Sequence, residues 1–282
     1  MKLEALLKAV TVTSVRGPVA CEIAGLACDS RKIHPGHLFI ALPGEQTSGM
    51  AFIEDAFRRG AVAVIFSASP EGIRREMTLV RVADARLAMA QAAAAFYGHP
   101  ARKLQVVGVT GTNGKTTVTF LVRDILSAAG RAPGLLGTVQ YEIGDRIIPA
   151  TRTTPESTDI QQMLAQMFDK QLKSVVMEVS SHALVQQRVA GIAFDVGVFT
   201  NLTRDHLDYH KTFDAYFAAK RRLFEELGQG GKCAVAVINR DDQRGRELAA
   251  LPGMAARVLT YGFTDGADII AHDVRLAADG SR

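Results

Sequence analysis

The stretch VGVTGTNGKTT (107 to 117) gathers three glycines, a lysine and four threonines behind an apolar run. Residues of these types at this spacing suit an anion. Glycines let backbone N–H groups turn toward it, Lys115 would neutralise charge on β- and γ-phosphates, and the Thr116 hydroxyl would reach Mg²⁺. The general pattern G-x-x-x-x-G-K-[ST] sets a glycine at 109; Val109 stands there, with Gly108 and Gly111 nearby, so this is a variant loop. The other reading is a glycine turn with a surface lysine. Phosphate binding by itself names no reaction.

A second cluster, MEVSSHAL (177 to 184), sets Glu178 where an apolar run turns polar. Ligands of open α/β sheets gather beyond the carboxyl ends of strands, so Glu178 would face the same crevice as the loop and serve Mg²⁺. A capping or surface glutamate is the alternative. Ser180, Ser181 and His182 lack the G-x-S-x-G elbow of a serine hydrolase. In FTNLTRDHLDYH (199 to 210), His206 and His210 stand four apart, as on one helical face, and with Asp205 or Asp208 would make a zinc site. Against zinc, no third nitrogen or sulfur ligand has convincing spacing. Packed or surface histidines, or one histidine given to a phosphate-associated Mg²⁺, are the other readings. In TFDAYFAAKRRLFEEL (212 to 227), Phe213, Tyr216, Phe217, Lys220 and Phe224 share a stripe, and Lys220 reads there as a snorkelling lysine. Turns in CDSRKIHPGHLFIAL and ATRTTPES (150 to 157) offer donors suited to a phosphate- or sugar-bearing ligand, or turn chemistry alone.

Such groups need elements to hold them. LQVVGVT reads as a buried strand, and the helix after the loop carries Val118, Leu121, Val122, Ile125 and Leu126 on one face before Gly130 closes it. Residues 1 to 97 alternate HLFIAL, AFIEDAFRR closed by Gly60, AVAVIF, TLVRVA and an alanine-rich helix from Asp84 to Tyr97. Gly98-His99-Pro100 breaks the pattern, which divides the chain into domains 1–98 and 99–282. Beyond it SVVMEVS, FDVGVFTN, KCAVAVIN and ARVLTYGF are strands with helices between them. The expected fold is α/β: a small N-terminal α/β domain, then a P-loop-type, mainly parallel sheet flanked by helices. The final ADIIAHDVRLAADGSR reads as strands and a turn at Asp279-Gly280 with no closing strand, as in a chain cut short.

Composition narrows the function classes. Hydrophobic residues make up 48% of the 282, ample for a core, and a net charge of +4 is mild and scattered. That suits anionic small ligands; DNA binding would want a longer basic stripe with aromatics, and Trp is absent. Cys21, Cys28 and Cys233 are too sparse for a disulfide framework or a Cys-x-x-Cys metal site. MKLEALLKAVTV lacks a cleavage-site pattern and no apolar run approaches a membrane span, so a cytoplasmic protein is expected.

Taken in order, DSR with PGxLFIAL, GTNGKTT, TTPES, MEVSSHALxxxR, TNLTRDHLDYH and AAKRRLF resemble the Mur ligase family, in its diamino-acid-adding branch, over nearly the whole chain. The resemblance implies an ATP-dependent amide ligation. The D-glutamate carboxylate of UDP-MurNAc-L-Ala-D-Glu is phosphorylated, and the acyl phosphate is attacked by meso-diaminopimelate or L-lysine. Carried over by motif, Gly111, Thr112, Asn113, Gly114, Lys115, Thr116 and Thr117 hold the triphosphate, and Thr116 and Glu178 serve Mg²⁺. His206 joins a second metal, and Lys220 matches a carbamylated lysine that ligates it. Ser30, Thr153, Thr154, Ser180, Gln186 and Arg188 match positions that hold the UDP-sugar peptide, and Asn239 of NRDD matches an adenine contact. Ser48-Gly49-Met50 departs from the family's common Asp-Gly-His. An amino-acid-binding domain would follow Arg282, and ligation is not expected without it. A monomer meeting neither nucleic acid nor membrane is implied. The rivals are a folylpolyglutamate synthetase or MurF-like ligase, and a nucleotide-binding module without ligase activity.

Overall fold

A computed structural model describes residues 1–44, 47–68, 77–229, 231–274, 276–277 and 280–281, the last two pairs by backbone alone. The chain forms two compact units. Met1–Pro100, Glu156–Ala165 and Gln186–Ile192 make the first; Ala101–Pro155, Gln166–Val185 and Ala193–Arg282 make the second.

In the first unit β1 (Val12–Arg16), β2 (Gly25–Ala27), β3 (His37–Ala41), β4 (Ala61–Phe66) and β5 (Thr78–Val82) form a sheet ordered β1-β5-β4-β3-β2, parallel except for β1. Successive side chains point to opposite faces. Leu38, Ile40, Ala63, Ile65 and Val80 therefore pack with α1 (Leu3–Leu7) and α3 (Ala85–Phe96), while Phe39, Val64, Phe66 and Leu79 pack with α2 (Ile53–Arg58). Asp84 starts α3 by accepting from the Arg86 and Leu87 N–H groups.

In the second unit the chain runs β6 (Gln105–Thr110), α4 (Lys115–Ala128), β7 (Pro133–Leu136), β8 (Gln140–Ile143), β9 (Arg146–Pro149), α5 (Ser157–Asp169, whose first turns belong to the first unit) and β10 (Ser174–Glu178). It continues through α6 (Ser181–Val185), β11 (Val196–Phe199), α7 (Leu207–His210), α8 (Phe213–Glu226), β12 (Val235–Asn239), α9 (Gln243–Ala249), β13 (Arg257–Gly262) and β14 (Ile269–Ile270). The sheet order is β14-β13-β12-β11-β6-β10-β7-β8-β9, parallel from β14 to β7 and antiparallel at β8 and β9. The architecture is thus α/β with a mainly parallel, P-loop-type sheet.

The structure corrects three sequence expectations. The antiparallel strands β8 and β9 had no counterpart in the reading. On α4, Leu121 and Ile125 are 57% and 66% exposed instead of buried. The packed face is centred on fully buried Thr119, so Val118, Val122 and Leu126 meet Val107, Val109 and Val176 while the trailing edge of the apolar stripe faces out. At the end of the chain, Gly280–Ser281 pairs back with Leu276–Ala277, so a short closing strand is present; Asp279 of the expected turn lies outside the described residues. Among the described residues no helix is long and apolar enough to cross a membrane.

Candidate active site

Because β6 lies between β10 and β11, the carboxyl ends of these three strands stand side by side. The loop after β6 rests on the segment after β11. Thr112 N–H donates to the Asn201 carbonyl at 2.9 Å, and Asn113 N–H to Asn201 Oδ1 at 3.0 Å. The Thr200 hydroxyl donates to the Asn113 carbonyl at 2.7 Å, and Asn113 Nδ2 to Thr203 Oγ1 at 3.2 Å. Gly111 has φ +146°, and a Cβ there would stand 1.9 Å from Thr200 Oγ1, so the close seating requires glycine. Gly114, at φ +82°, opens α4, with Lys115, Thr116 and Thr117 in its first turn. Lys115 Nζ donates back to the Gly111 and Thr112 carbonyls at 3.0 and 2.8 Å. Burial lowers the pKa of Lys115, while Glu178 and Asp205 pull it up.

Glu178 ends β10 at 1% exposure, and it is neither a helix cap nor a surface residue. Its Oε1 accepts from the Thr116 hydroxyl at 3.0 Å and from Thr138 N–H at 2.9 Å. The Thr138 hydroxyl lies 3.0 Å from Oε2 and 3.1 Å from Thr153 Oγ1. Thr154 Oγ1 donates to the Glu178 carbonyl at 2.8 Å and accepts from Ser180 N–H at 3.1 Å. Mg²⁺ favours such hard oxygens and completes its shell with phosphate and water. Among the described residues no group of three or more His, Cys, Asp or Glu is placed to hold a metal ion.

The histidines do not form the expected helical pair. Helix α7 is a single turn, His206 precedes it with φ 51° in the left-handed region, and both rings meet His182, at 4.9 Å for His206 and 5.4 Å for His210. His206 also stands 3.5 Å from Asp205, and its ring lies 6.0 Å from that of Tyr216. Buried His210 places Nε2 2.8 Å from Ser181 Oγ. Burial, then the neighbouring His182, Lys220 and His206, push its pKa down to about 4. An unfolded histidine titrates near 6.5, so the unfolded chain binds the proton first as pH falls. Stability should be fully present above about pH 6.5 and fall by roughly 2–3 kcal/mol on the way to pH 4. Urea melts across that range check this. His210→Gln should flatten the slope by that amount, and an unchanged slope would rule the assignment out.

Lys220 does not snorkel. It is 1% exposed, its Nζ donates to the Gly111 carbonyl at 2.8 Å and it lies 4.6 Å from the Tyr216 ring centre. Its position on α8 faces the loop and not a water-lined rim. Burial, then Lys115, lower its pKa to about 7. Asn239 at the end of β12 donates from Nδ2 to the Thr200 carbonyl at 2.8 Å and accepts from Asp241 N–H at 3.0 Å. Of the residues expected around a UDP-sugar peptide, Thr153, Thr154 and Ser180 lie in this second unit. Ser30, Gln186 and Arg188 lie in the first. There Ser30 lines a cavity of about 630 Å³ with Cys28, Asp29, Arg31, Phe52 and Asp55. Arg188 Nη2 donates to Gln186 Oε1 at 2.6 Å, and Arg188 Nε lies 3.3 Å from Glu156 Oε1.

Sequence reasoning missed Thr138, Asn201 and Thr203. Asn201 and Thr203 were detectable as the first polar residues past an apolar strand. Thr138 was not, because its role depends on β7 lying beside β10.

Residues 109–282 match the Mur ligase middle domain, and residues 22–97 match the Mur ligase family catalytic domain. The chain belongs to the Mur ligase family. It is 48% identical over 283 residues to a Geobacter metallireducens protein named UDP-N-acetylmuramoyl-L-alanyl-D-glutamate–2,6-diaminopimelate ligase, covering 99% of this chain and 55% of the relative. A Geobacter sulfurreducens protein of the same name is 48% identical over 286 residues, with the same coverage. A solved structure titled with that enzyme name superposes with TM-score 0.82 at 28% identity, over 100% of this chain and 57% of that one. This Mur ligase chain thus spans a little over half the length of the curated relatives it matches, and the loop from Gly111 to Thr117 falls inside the middle-domain match.

Proposed function

We propose that this chain carries the ATP- and UDP-sugar-binding parts of a ligase that joins 2,6-diaminopimelate to UDP-MurNAc-L-Ala-D-Glu. The observation that carries the reading is the convergence of Lys115 and the Thr116–Glu178 pair at the head of α4. The names of relatives at 48% identity support the choice of substrates, and of 2,6-diaminopimelate over L-lysine. An amine does not displace oxide from a carboxylate. In the proposed sequence a D-glutamate carboxylate oxygen bonds to the γ-phosphorus as the β,γ-bridging P–O bond breaks and ADP leaves. The amine nitrogen then bonds to the acyl carbon, the C–O bond to phosphate breaks, and the amine gives up a proton.

In this scheme loop N–H groups and Lys115 hold and neutralise the phosphates, which is where catalysis of phosphoryl transfer chiefly lies. Thr116 and Glu178 would hold Mg²⁺, which supplies charge to offset two anions brought together. His206 and a carbamate on Lys220 would serve a second ion. A carbamate nitrogen keeps one N–H, so the contact with the Gly111 carbonyl can persist while the new carboxylate offers oxygens. Asn239 would meet the adenine, and Ser30, Thr153, Thr154, Ser180, Gln186 and Arg188 the UDP-sugar peptide. A cytoplasmic monomer acting on soluble substrates, with no nucleic acid or membrane partner, completes the reading.

The test supplies UDP-MurNAc-L-Ala-D-Glu labelled with ¹⁸O in the D-glutamate carboxylate, with MgATP and 2,6-diaminopimelate, to the gene product. Label in the released phosphate is expected. Amide product without label in phosphate would refute the acyl phosphate, and failure to bind the UDP-sugar peptide would refute the ligase reading. A ¹³CO₂-derived carbamate resonance, lost in Lys220→Ala, checks the lysine.

A further inference from the structure

In the nucleotide reading above, the phosphate loop would fix one end of a nucleotide at the carboxyl end of β6, and the row of strand ends on either side of β6 offers its base a surface. On the β10 side, Glu178, Thr116, Thr138, Thr153 and Thr154 fill that row with mutual hydrogen bonds. On the other side come the ends of β11, β12 and β13 in turn. Just past the end of β13 stands Phe263, 66% exposed. Strands are spaced about 4.8 Å apart, so β13 lies about 14 Å across the sheet from β6, a span comparable with an extended nucleoside triphosphate.

The backbone that carries this ring is closely tied. Asp241 accepts from Phe263 N–H at 2.7 Å, from Thr264 N–H at 3.1 Å and from the Thr264 hydroxyl at 2.6 Å. Its own N–H donates to Asn239 Oδ1 at 3.0 Å, and its carbonyl accepts from Arg246 at 3.0 Å. Gly262 has no room for a side chain, since a Cβ would stand 2.7 Å from Asp241 Oδ1. A large aromatic ring presented to water on a hydrogen-bonded turn, next to the strand that ends in Asn239, has the form of a stacking surface. Every nucleobase has a π-face to lay on it.

We propose that Phe263 is the platform on which the adenine of the bound nucleotide stacks; the inference rests on the nucleotide reading above. Calorimetry of the chain with MgATP and, separately, with magnesium tripolyphosphate tests it. Phe263→Ala should weaken ATP about tenfold, as loss of one base–aromatic stack does, and leave tripolyphosphate unchanged. Phe263→Trp should keep ATP affinity. Unaltered ATP binding in Phe263→Ala, or equal weakening of both ligands, would overturn the proposal. So would a wild-type chain that binds tripolyphosphate as tightly as ATP, although the phosphate-loop reading would then stand. A wild-type chain that binds neither ligand would refute both.

Discussion

Lys115→Ala is expected to lower MgATP affinity roughly tenfold to a hundredfold, the range for losing a charge-assisted contact of about 1.5–3 kcal/mol. The fold should survive, because the loop does not depend on this side chain alone. Lys220 continues to donate to the Gly111 carbonyl, and the Asn201 and Thr200 bonds continue to seat Thr112 and Asn113. Calorimetry with MgATP, alongside a thermal melt, separates the two effects. Unchanged affinity would show that the lysine does not hold the nucleotide. A collapsed melt would show that its bonds to the Gly111 and Thr112 carbonyls are structural.

Gly111→Ala should do more damage to the protein than to any single contact. The new methyl would meet Thr200 Oγ1 at 1.9 Å, and φ of +146° is a conformation side-chain-bearing residues rarely adopt. Overpacking of about 1–3 kcal/mol and backbone strain of about 1–3 kcal/mol sum to roughly 2–6 kcal/mol. Gly114→Ala is the control. Its φ is +82° with nothing within 4 Å of the added methyl, so only the conformational cost of roughly 1–2 kcal/mol applies. Urea denaturation of both variants measures the difference. Equal losses would mean that the Thr200 contact relaxes freely.

The parallel strands were legible because each is a short run of apolar residues bounded by glycine or polar punctuation, as in QVVGVT and SVVME. The antiparallel pair was not. Strands β8 and β9 are four residues each and mix Gln140, Glu142 and Arg146 with their apolar residues, and only β7 beside them gives that pattern a place. The same limit governed the site. Lys115, Thr116 and Glu178 announce themselves by type and spacing, but hydrogen bonding decides what Lys220 does. A lysine in an apolar stripe reads as snorkelling unless the partner of its buried head, here the Gly111 carbonyl 109 positions away, is known.

The first unit is made from three stretches, and its last, Gln186–Ile192, is synthesised roughly ninety residues after Pro100. At about 5–20 residues per second, that interval is roughly 5–18 s on the ribosome. During it all the residues of the five-stranded sheet have been made, while the set of pieces that completes its unit has not. Meanwhile β6, α4, β7 to β9 and β10 of the second unit emerge. Order of synthesis is therefore not order of completion, and the N-terminal unit finishes only once the phosphate loop and Glu178 have already been made.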